Sequence, residues 1–189
     1  MWHRLFITGS HGLVAIAFFN TAVFNPAFAA DDQPADRAIV AVEASIVIRQ
    51  PATEVFAFVS NAENDIRWRS EVVSMKNVTP PPQGVGTRTV EVAKVLGKQL
   101  ETTTEIVEFV PDVRMARRSL SGQTPVTTAR SVAAVEGGTR FTYRLRADVT
   151  DMATFRLLRP ILQWWTQRKV EGYMKTLKQF MEASAVPAA

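Results

Sequence analysis

A long helical period follows a series of strand-like segments, and this order constrains the fold more than any other feature of the sequence. From Phe155 to about Ala183, apolar residues recur every three or four positions, which indicates an amphipathic helix. A helix of this length spans roughly 40 Å, enough to cross a whole sheet. Six strand-like segments precede it, at residues 71–78, 87–96, 98–109, 113–120, 126–135 and 139–149.

One more strand and two short helices are predicted before these six strands. Residues 39–49 are rich in β-branched side chains, and Pro51 then suits the start of a short helix. A second short helix is predicted at 61–67, ending at Trp68. The order predicts an α+β fold in which the long helix covers one face of an antiparallel sheet. The volume between helix and sheet is either filled by side chains or left as a cavity.

The first 29 residues have the pattern of a secretory signal peptide. Arg4 precedes an apolar run at 13–24, and Ala27-Phe28-Ala29 resembles a cleavage site. The run is shorter than the ~20 residues that span a bilayer, although an uncleaved anchor is the alternative. We expect cleavage after about Ala29 and a periplasmic or secreted product. A flexible segment is predicted at 30–37, a folded domain at 38–184 and a flexible tail at 185–189.

The predicted mature chain contains neither histidine nor cysteine. The two histidines, His3 and His11, lie in the signal segment, and the sequence has no cysteine. This excludes Ser-His-Asp and Cys-His catalysis, iron–sulfur clusters, and zinc or haem held by these residues. We expect no metal and no cofactor, and catalysis is less favoured than binding.

Charge indicates an ordinary solvated surface. After removal of Arg4 with the signal, 21 basic and 18 acidic residues remain, interspersed along the chain. Export argues against nucleic acid as a partner, so a small apolar molecule is the expected one. Nothing in the sequence sets the oligomeric state.

Several stretches resemble the START-like superfamily, also called SRPBCC, and most closely its bacterial polyketide cyclase/dehydrase and lipid-transport group. They are IRQPATEVFAFVSNAENDIRW, GVGTRTVEVAKVLGKQLETTTEIVEFVPDVRMARRSLSG, VEGGTRFTYRLRADV, LLRPILQWW and LKQFMEA, spread over roughly residues 39–183. The resemblance implies a helix-grip (START/Bet v 1-like) fold, in which a curved seven-stranded antiparallel sheet wraps around the C-terminal helix. It also implies a hydrophobic cavity entered near the short helices and the loops at one end. In bacterial members this cavity commonly takes lipids, isoprenoids, quinones or polyketides.

Tyr143 and Arg117 are the polar residues that such a cavity would use first. Tyr143 shares a strand face with Phe141, and its phenol either bonds a ligand or finds a backbone partner inside the core. Arg117 is two positions from Met115 and would bind an anionic group if it faced inward. Its neighbours Arg114 and Arg118 instead favour a solvated face for this strand.

Trp68 is predicted to lie near the cavity entrance, as a cap or ligand contact, with a plug at the end of the core as the alternative. The long helix contributes further candidates from its apolar face. The complete set of candidate ligand-binding residues is Trp68, Met115, Arg117, Phe141, Tyr143, Leu162, Trp165 and Tyr173.

Two other groups of residues have competing interpretations. A desolvated glutamate among Glu91, Glu101 and Glu105 would act as a general base, but an outer, solvated sheet face is favoured. Trp164 and Trp165, beside basic residues, would suit transient contact with a membrane surface, whereas one core and one half-exposed tryptophan is the alternative. The basic residues concerned are Arg156, Arg159 and Arg168.

These patterns leave three functional hypotheses open. The first is a non-catalytic carrier of a small hydrophobic ligand, such as a lipid, isoprenoid, quinone or polyketide-like molecule, in the periplasm. The second is a polyketide cyclase/aromatase-like enzyme that uses Tyr, Arg or Glu in the cavity. The third is an envelope interaction module whose core is full, and the presence or absence of a cavity separates it from the others.

Overall fold

The computed structural model describes residues 37–95 and 97–184, which form seven strands, three α-helices and one 3₁₀ helix. The predicted signal peptide, most of the predicted flexible segment and the predicted tail lie outside the described residues. The strands are β1 (Ile39–Ile48), β2 (Val72–Asn77), β3 (Arg88–Val95), β4 (Lys98–Val110), β5 (Arg114–Ser119), β6 (Val126–Val135) and β7 (Gly138–Asp148). The helices are α1 (Ala52–Ser60), the 3₁₀ helix (Ala62–Arg67), α2 (Ala153–Leu157) and α3 (Arg159–Ser184).

The strands form one antiparallel sheet in the order β1-β7-β6-β5-β4-β3-β2. Tight turns make this order possible, and Gly97 between β3 and β4 has a φ of +81°, which glycine adopts without steric cost. The register of β4 against β5 shifts between Ile106 and Glu108, and a bulge of this kind bends a strand. The predicted seven-stranded antiparallel sheet and helix-grip order are confirmed.

The long C-terminal helix is interrupted near its start. The sequence predicts one helix from Phe155, but α2 ends at Leu157 and α3 begins at Arg159. Pro160 explains the break, because proline has no N–H to donate to the carbonyl four residues earlier and its ring crowds that carbonyl. The periodicity of the apolar residues continues across the break, so the sequence pattern does not indicate where the helix is interrupted.

Helix α3 runs along β1, which is an edge strand of the sheet. Gln163 bonds to both the N–H and the carbonyl of Ala41, and Gln167 Nε2 donates to the Glu43 carbonyl at 3.0 Å. Lys178 Nζ donates to the Val47 carbonyl at 2.6 Å. Side chains of the helix thus satisfy backbone groups that an edge strand otherwise leaves unpaired.

The main core lies where α1, the sheet and the C-terminal half of α3 meet. Val55, Phe56 and Val59 of α1 are buried there, as predicted for the packing face of the first short helix. From α3, the core takes Val170, Tyr173, Met174, Leu177 and Met181. In the described part of the chain, no helix is both long and apolar enough to cross a membrane.

Candidate functional site

An internal cavity of about 780 Å³ lies between the sheet and α3. This volume is within the range of roughly 300–1,000 Å³ that small-molecule sites occupy. The hypothesis of a filled core therefore loses its support. The wall is built from all seven strands, the 3₁₀ helix region, α2 and about the first four turns of α3.

The cavity wall changes from charged to apolar along the strands. On β6, the lining residues are Arg130, Thr128 and Val126, and on β3 they are Glu91, Ala93 and Val95. Each set occupies every second position, as expected for one face of a strand. Since β3 and β6 are antiparallel to each other, the two sets run from charged to apolar in the same direction. The cavity is therefore amphipathic.

At the charged end, Asp65 is fully buried and bonded to two arginines. Arg130 makes a bidentate pair with it, at 2.8 Å from Nη1 to Oδ1 and 2.5 Å from Nη2 to Oδ2. Arg69 Nη1 donates to Asp65 Oδ2 at 3.1 Å and also contacts Glu91, with 2.9 Å between Nη2 and Oε1. A continuous ion-pair chain therefore links the 3₁₀ helix to β3 and β6.

This chain keeps its members ionised in spite of burial. Burial alone would raise the pKa of the Asp65 carboxyl, but Arg130 and Arg69 outweigh it and hold that pKa below its usual value. For Arg69, burial would lower the pKa, yet Glu91 and the other nearby anionic groups raise it well above the ordinary range. The charged end is therefore a fixed array of charges rather than a set of proton donors and acceptors.

Arg117, on β5, lines the same end of the cavity and forms no ion pair with any residue that the structure describes. It is 5% exposed, and its guanidinium donates to Thr89 Oγ1 at 2.9 Å and to the Ser60 carbonyl at 3.2 Å. Its Nε has no hydrogen-bond partner among the described residues. Burial, with Arg130 nearby, lowers the pKa of Arg117 to about 10, so it remains a cation at neutral pH.

A second group of polar residues approaches from the helix side. Lys169 Nζ lies 3.9 Å from Glu71 Oε2, and Arg69 Nη2 donates to Glu71 Oε1 at 3.2 Å. Tyr173 faces the same carboxylate, and burial together with Glu71 raises the pKa of its phenol, which stays neutral. Burial also lowers the pKa of Lys169.

The apolar end is the exposed part of the wall. Ile161, Trp164 and Trp165 line the cavity and are 63%, 59% and 41% exposed, respectively. Exposed residues of the loop after β5, Gly122 and Gln123, also line it. The entrance therefore lies beside the start of α3 and the loop after β5. The resemblance implied a position near loops at one end, which agrees, and near the two short helices that follow β1, which does not.

Half of the eight predicted ligand-binding residues lie in the cavity wall. Arg117, Leu162, Trp165 and Tyr173 line it. The other four pack in the protein interior outside the wall, and they are Trp68, Met115, Phe141 and Tyr143.

Trp68 is a core residue rather than an entrance residue. It is 1% exposed and makes edge-to-face contacts with Phe141, Tyr143 and Tyr173 at ring-centroid distances of 6.1, 5.9 and 6.3 Å. The Arg130 guanidinium lies 5.1 Å from the ring centroid of Trp68, within the range of a cation–π contact. The plug interpretation of Trp68 therefore agrees with the structure, and the cap interpretation does not.

Four other interpretations are wrong, that of Tyr143 only in the partner of its hydroxyl, since Tyr143 is a core residue. Arg117 and Glu91 do not belong to solvated faces, because both line the cavity, and Glu91 is paired with Arg69. Neither Trp164 nor Trp165 is a core residue, since both are substantially exposed. The Tyr143 hydroxyl has no backbone partner, or any other, within the described ranges 37–95 and 97–184.

Sequence reasoning missed Asp65, Arg69 and Arg130. A weak signal for the first two existed, because Asp65 and Arg69 are four positions apart at the end of a predicted helix, a spacing that favours contact. Arg130 meets Asp65 across 65 positions of sequence. No local pattern distinguishes it from a solvated arginine on a strand.

The sheet, the long helix and the cavity between them define a helix-grip protein of the START type. Residues 40–182 match the model of the family "Polyketide cyclase / dehydrase and lipid transport", and the chain belongs to this family. No curated protein matches the sequence.

Solved structures share this architecture. A protein from Thermus thermophilus, TTHA0849, is 25% identical, with a TM-score of 0.67 over 77% of this chain and 99% of its own. The Zhui aromatase/cyclase from Streptomyces sp. R1128 is 14% identical, with a TM-score of 0.62 over 80% and 98%. A START superfamily protein from Mycobacterium smegmatis is 12% identical, with a TM-score of 0.60 over 77% and 99%. The last two likenesses concern the fold alone.

Proposed function

We propose that this protein binds a small hydrophobic molecule in its internal cavity and carries it in the periplasm. The ligand classes we consider are lipids, isoprenoids, quinones and polyketide-like molecules. The observation that carries the proposal is the cavity of about 780 Å³ with an apolar, exposed end. The family, whose description includes lipid transport, supports the same function.

A carrier fits the cavity better than a cyclase/aromatase-like enzyme. The enzymatic hypothesis uses Tyr, Arg or Glu in the cavity, with Tyr143 and Arg117 as the first candidates. Tyr143 does not line the cavity, and Arg117 remains a cation at neutral pH, so it cannot act as a general base. The buried carboxylate Asp65 is committed to two arginines, which lowers its pKa and makes it a weak base.

A carrier of apolar molecules must exchange them with a membrane, and the entrance offers a suitable surface. Leu157, Ile161 and Trp164 are 82%, 63% and 59% exposed. Arg156 and Arg159 are exposed in the same segment. Apolar and basic residues together favour the boundary of an anionic membrane, and we include transient contact with such a surface in the proposal.

Filling the apolar end of the cavity tests the proposal. Ala147 lines this end on β7, and Ala147→Trp places a large ring in the cavity. We expect the binding of an apolar fluorescent dye, N-phenyl-1-naphthylamine, to the purified protein to weaken at least about tenfold, because the ring displaces the bound molecule. The measurement is a fluorescence titration of the dye.

The matched control is Ala133→Trp, on an exposed position of β6 outside the cavity wall. It should bind the dye as the unmodified protein does. Failure of the unmodified protein to bind the dye, with no apolar molecule recovered from it by solvent extraction and mass spectrometry, would contradict the proposal.

A further inference from the structure

The charges in the inner part of the cavity wall do not balance. Four cationic side chains line its buried part, Arg69, Arg117, Arg130 and Lys169, against three carboxylates, Asp65, Glu71 and Glu91. The remaining charged lining residue, Glu101, is exposed. One positive charge is therefore left in excess in the inner part of the wall, where the Lys169 side chain is still 22% exposed.

The excess charge can be assigned to Arg117. Within the described residues, the ion pairs of this cluster join Arg69 to Asp65, Glu71 and Glu91, Arg130 to Asp65, and Lys169 to Glu71. None of them includes Arg117, which bonds only to a hydroxyl and a carbonyl oxygen. Two of its five N–H groups are used in these bonds.

A buried cation without an anion is costly unless a partner supplies the missing charge. Residues 37–95 and 97–184 do not supply it, and within the same ranges the Nε of Arg117 is buried with no acceptor. Arg69 and Arg130 line the same end, and their Nε atoms are also buried without an acceptor among the described residues. Three guanidiniums thus have unused donors around one part of the cavity.

The apolar end of the cavity indicates the chemistry of the rest of the ligand. From Arg130 and Glu91, the walls continue through Thr128 and Ala93 to Val126 and Val95, towards the exposed entrance. A molecule that fills the cavity thus has a polar group at the inner end and an apolar body towards the opening. A guanidinium recognises carboxylate and phosphate groups through paired N–H donors.

We propose that the cavity accepts an amphipathic molecule with one acidic head group, a carboxylate or phosphate monoester, and that Arg117 is its main contact. This inference depends on the proposed function, since it assumes that the cavity binds a ligand. Arg117 neutralises the head group, and the apolar walls hold the chain.

Competition with a matched set of amphiphiles tests the inference. Dodecanoic acid, dodecyl phosphate and dodecan-1-ol share one chain and differ in head group, and each is titrated against N-phenyl-1-naphthylamine bound to the purified protein. We expect at least one acidic competitor to bind roughly 10- to 100-fold more tightly than the alcohol, since a charge-assisted bond is added. The stronger of the two acids identifies the head group.

Variants at position 117 locate the contact. In Arg117→Met, the acids should bind no better than the alcohol, while affinity for the alcohol stays within about twofold of the original value. The control is Arg118→Met, the next residue of β5, whose side chain is 60% exposed and which should retain the preference. Arg117→Lys retains the charge and should keep part of the preference. If the methionine variant does not fold, the lysine variant still tests the role of Arg117, and the comparison of the three amphiphiles on the unmodified protein still tests the acidic head group.

Each outcome has one meaning. Equal competition by all three amphiphiles overturns the acidic head group and leaves the proposed function intact. A preference for acids that survives in Arg117→Met overturns the role of Arg117. Absence of dye binding and of any competition overturns the proposed function as well.

Discussion

At the scale of single residues, Asp65 is the side chain that connects the charged residues of the site. It is 0% exposed and joins Arg130 of β6 to Arg69, which in turn reaches Glu91 of β3. Loss of one partner from a buried pair leaves the other charge uncompensated in a medium that solvates it poorly. Asp65 is thus a structural residue that holds the charged end of the cavity in place.

Asp65→Asn should destabilise the protein by about 3–5 kcal/mol at neutral pH, because it leaves Arg130 buried without its anion. The free energy of unfolding, measured by urea denaturation, checks this value. Asp151→Asn, in an exposed turn, is the control and should change stability by less than about 0.5 kcal/mol. An equally small effect at Asp65 would show that the ion pair does not contribute to stability.

The same pair gives a dependence on pH. Its arginines hold the pKa of Asp65 below the value of about 4 that an aspartate has in an unfolded chain. The contribution of the carboxylate is therefore complete above about pH 4 and is lost as the pH falls through the lower folded-state pKa. Between about pH 7 and about pH 4 the stability difference between the original protein and Asp65→Asn should not change, and from about pH 4 towards about pH 2 it should shrink. A difference that stays constant over this range would contradict the assignment.

At the scale of elements, the start of the C-terminal helix differs from the rest. Its later turns are embedded in the core, while α2 and the first turns of α3 present large apolar side chains to solvent beside the cavity. Arg168 and Lys169 lie over the rings of Trp164 and Trp165 at 5.3 and 4.7 Å from their centroids. The segment therefore combines cationic groups with aromatic rings, as membrane-interface helices do.

The double variant Ile161→Ser/Trp164→Ser should reduce binding to vesicles of phosphatidylcholine and phosphatidylglycerol by at least about tenfold, because it removes large apolar groups from the contact. Co-sedimentation with the vesicles measures the bound fraction. Val78→Ser/Val85→Ser removes exposed apolar residues elsewhere and should have little effect. If both double variants bind as the original protein does, the start of α3 is not the contact surface.

The elements could be predicted from the sequence, whereas the contacts inside the site could not. The periods of strands and helices, with turn residues between them, gave the order of all seven strands because these signals are local. The break at Leu158 was missed since Pro160 interrupts the helix without disturbing its apolar period. The partners of Arg117 and Arg130 depend on how distant segments meet, so these arginines resembled solvated ones.

At the scale of the whole molecule, the proposed location in the periplasm depends on the first 29 residues. The pattern of Arg4, an apolar run and Ala27-Phe28-Ala29 predicts removal of this segment during export. Expression of the full chain in a Gram-negative host should yield a periplasmic protein whose first residue is Ala30, as read by N-terminal sequencing.

Substitution of Ala27 and Ala29 by leucine should leave the segment attached, because the cleavage site needs small residues. Phe28→Leu, between them, is the control and should be processed normally. Recovery of the original chain in the cytoplasm with Met1 still present would contradict the proposed location.

The position of α3 along β1 also affects whether the proposed ligand can be exchanged without exposing the edge of the sheet. A bare edge strand is a template to which another chain can add a strand, and this is a common start of aggregation. Gln167 and Lys178 shield the edge from turns of α3 that lie beyond the entrance. Exchange through the first turns would disturb at most the bonds between Gln163 and Ala41 and would leave those of Gln167 and Lys178 in place, so most of the edge would stay covered. A route that lifted the whole helix would offer no such protection.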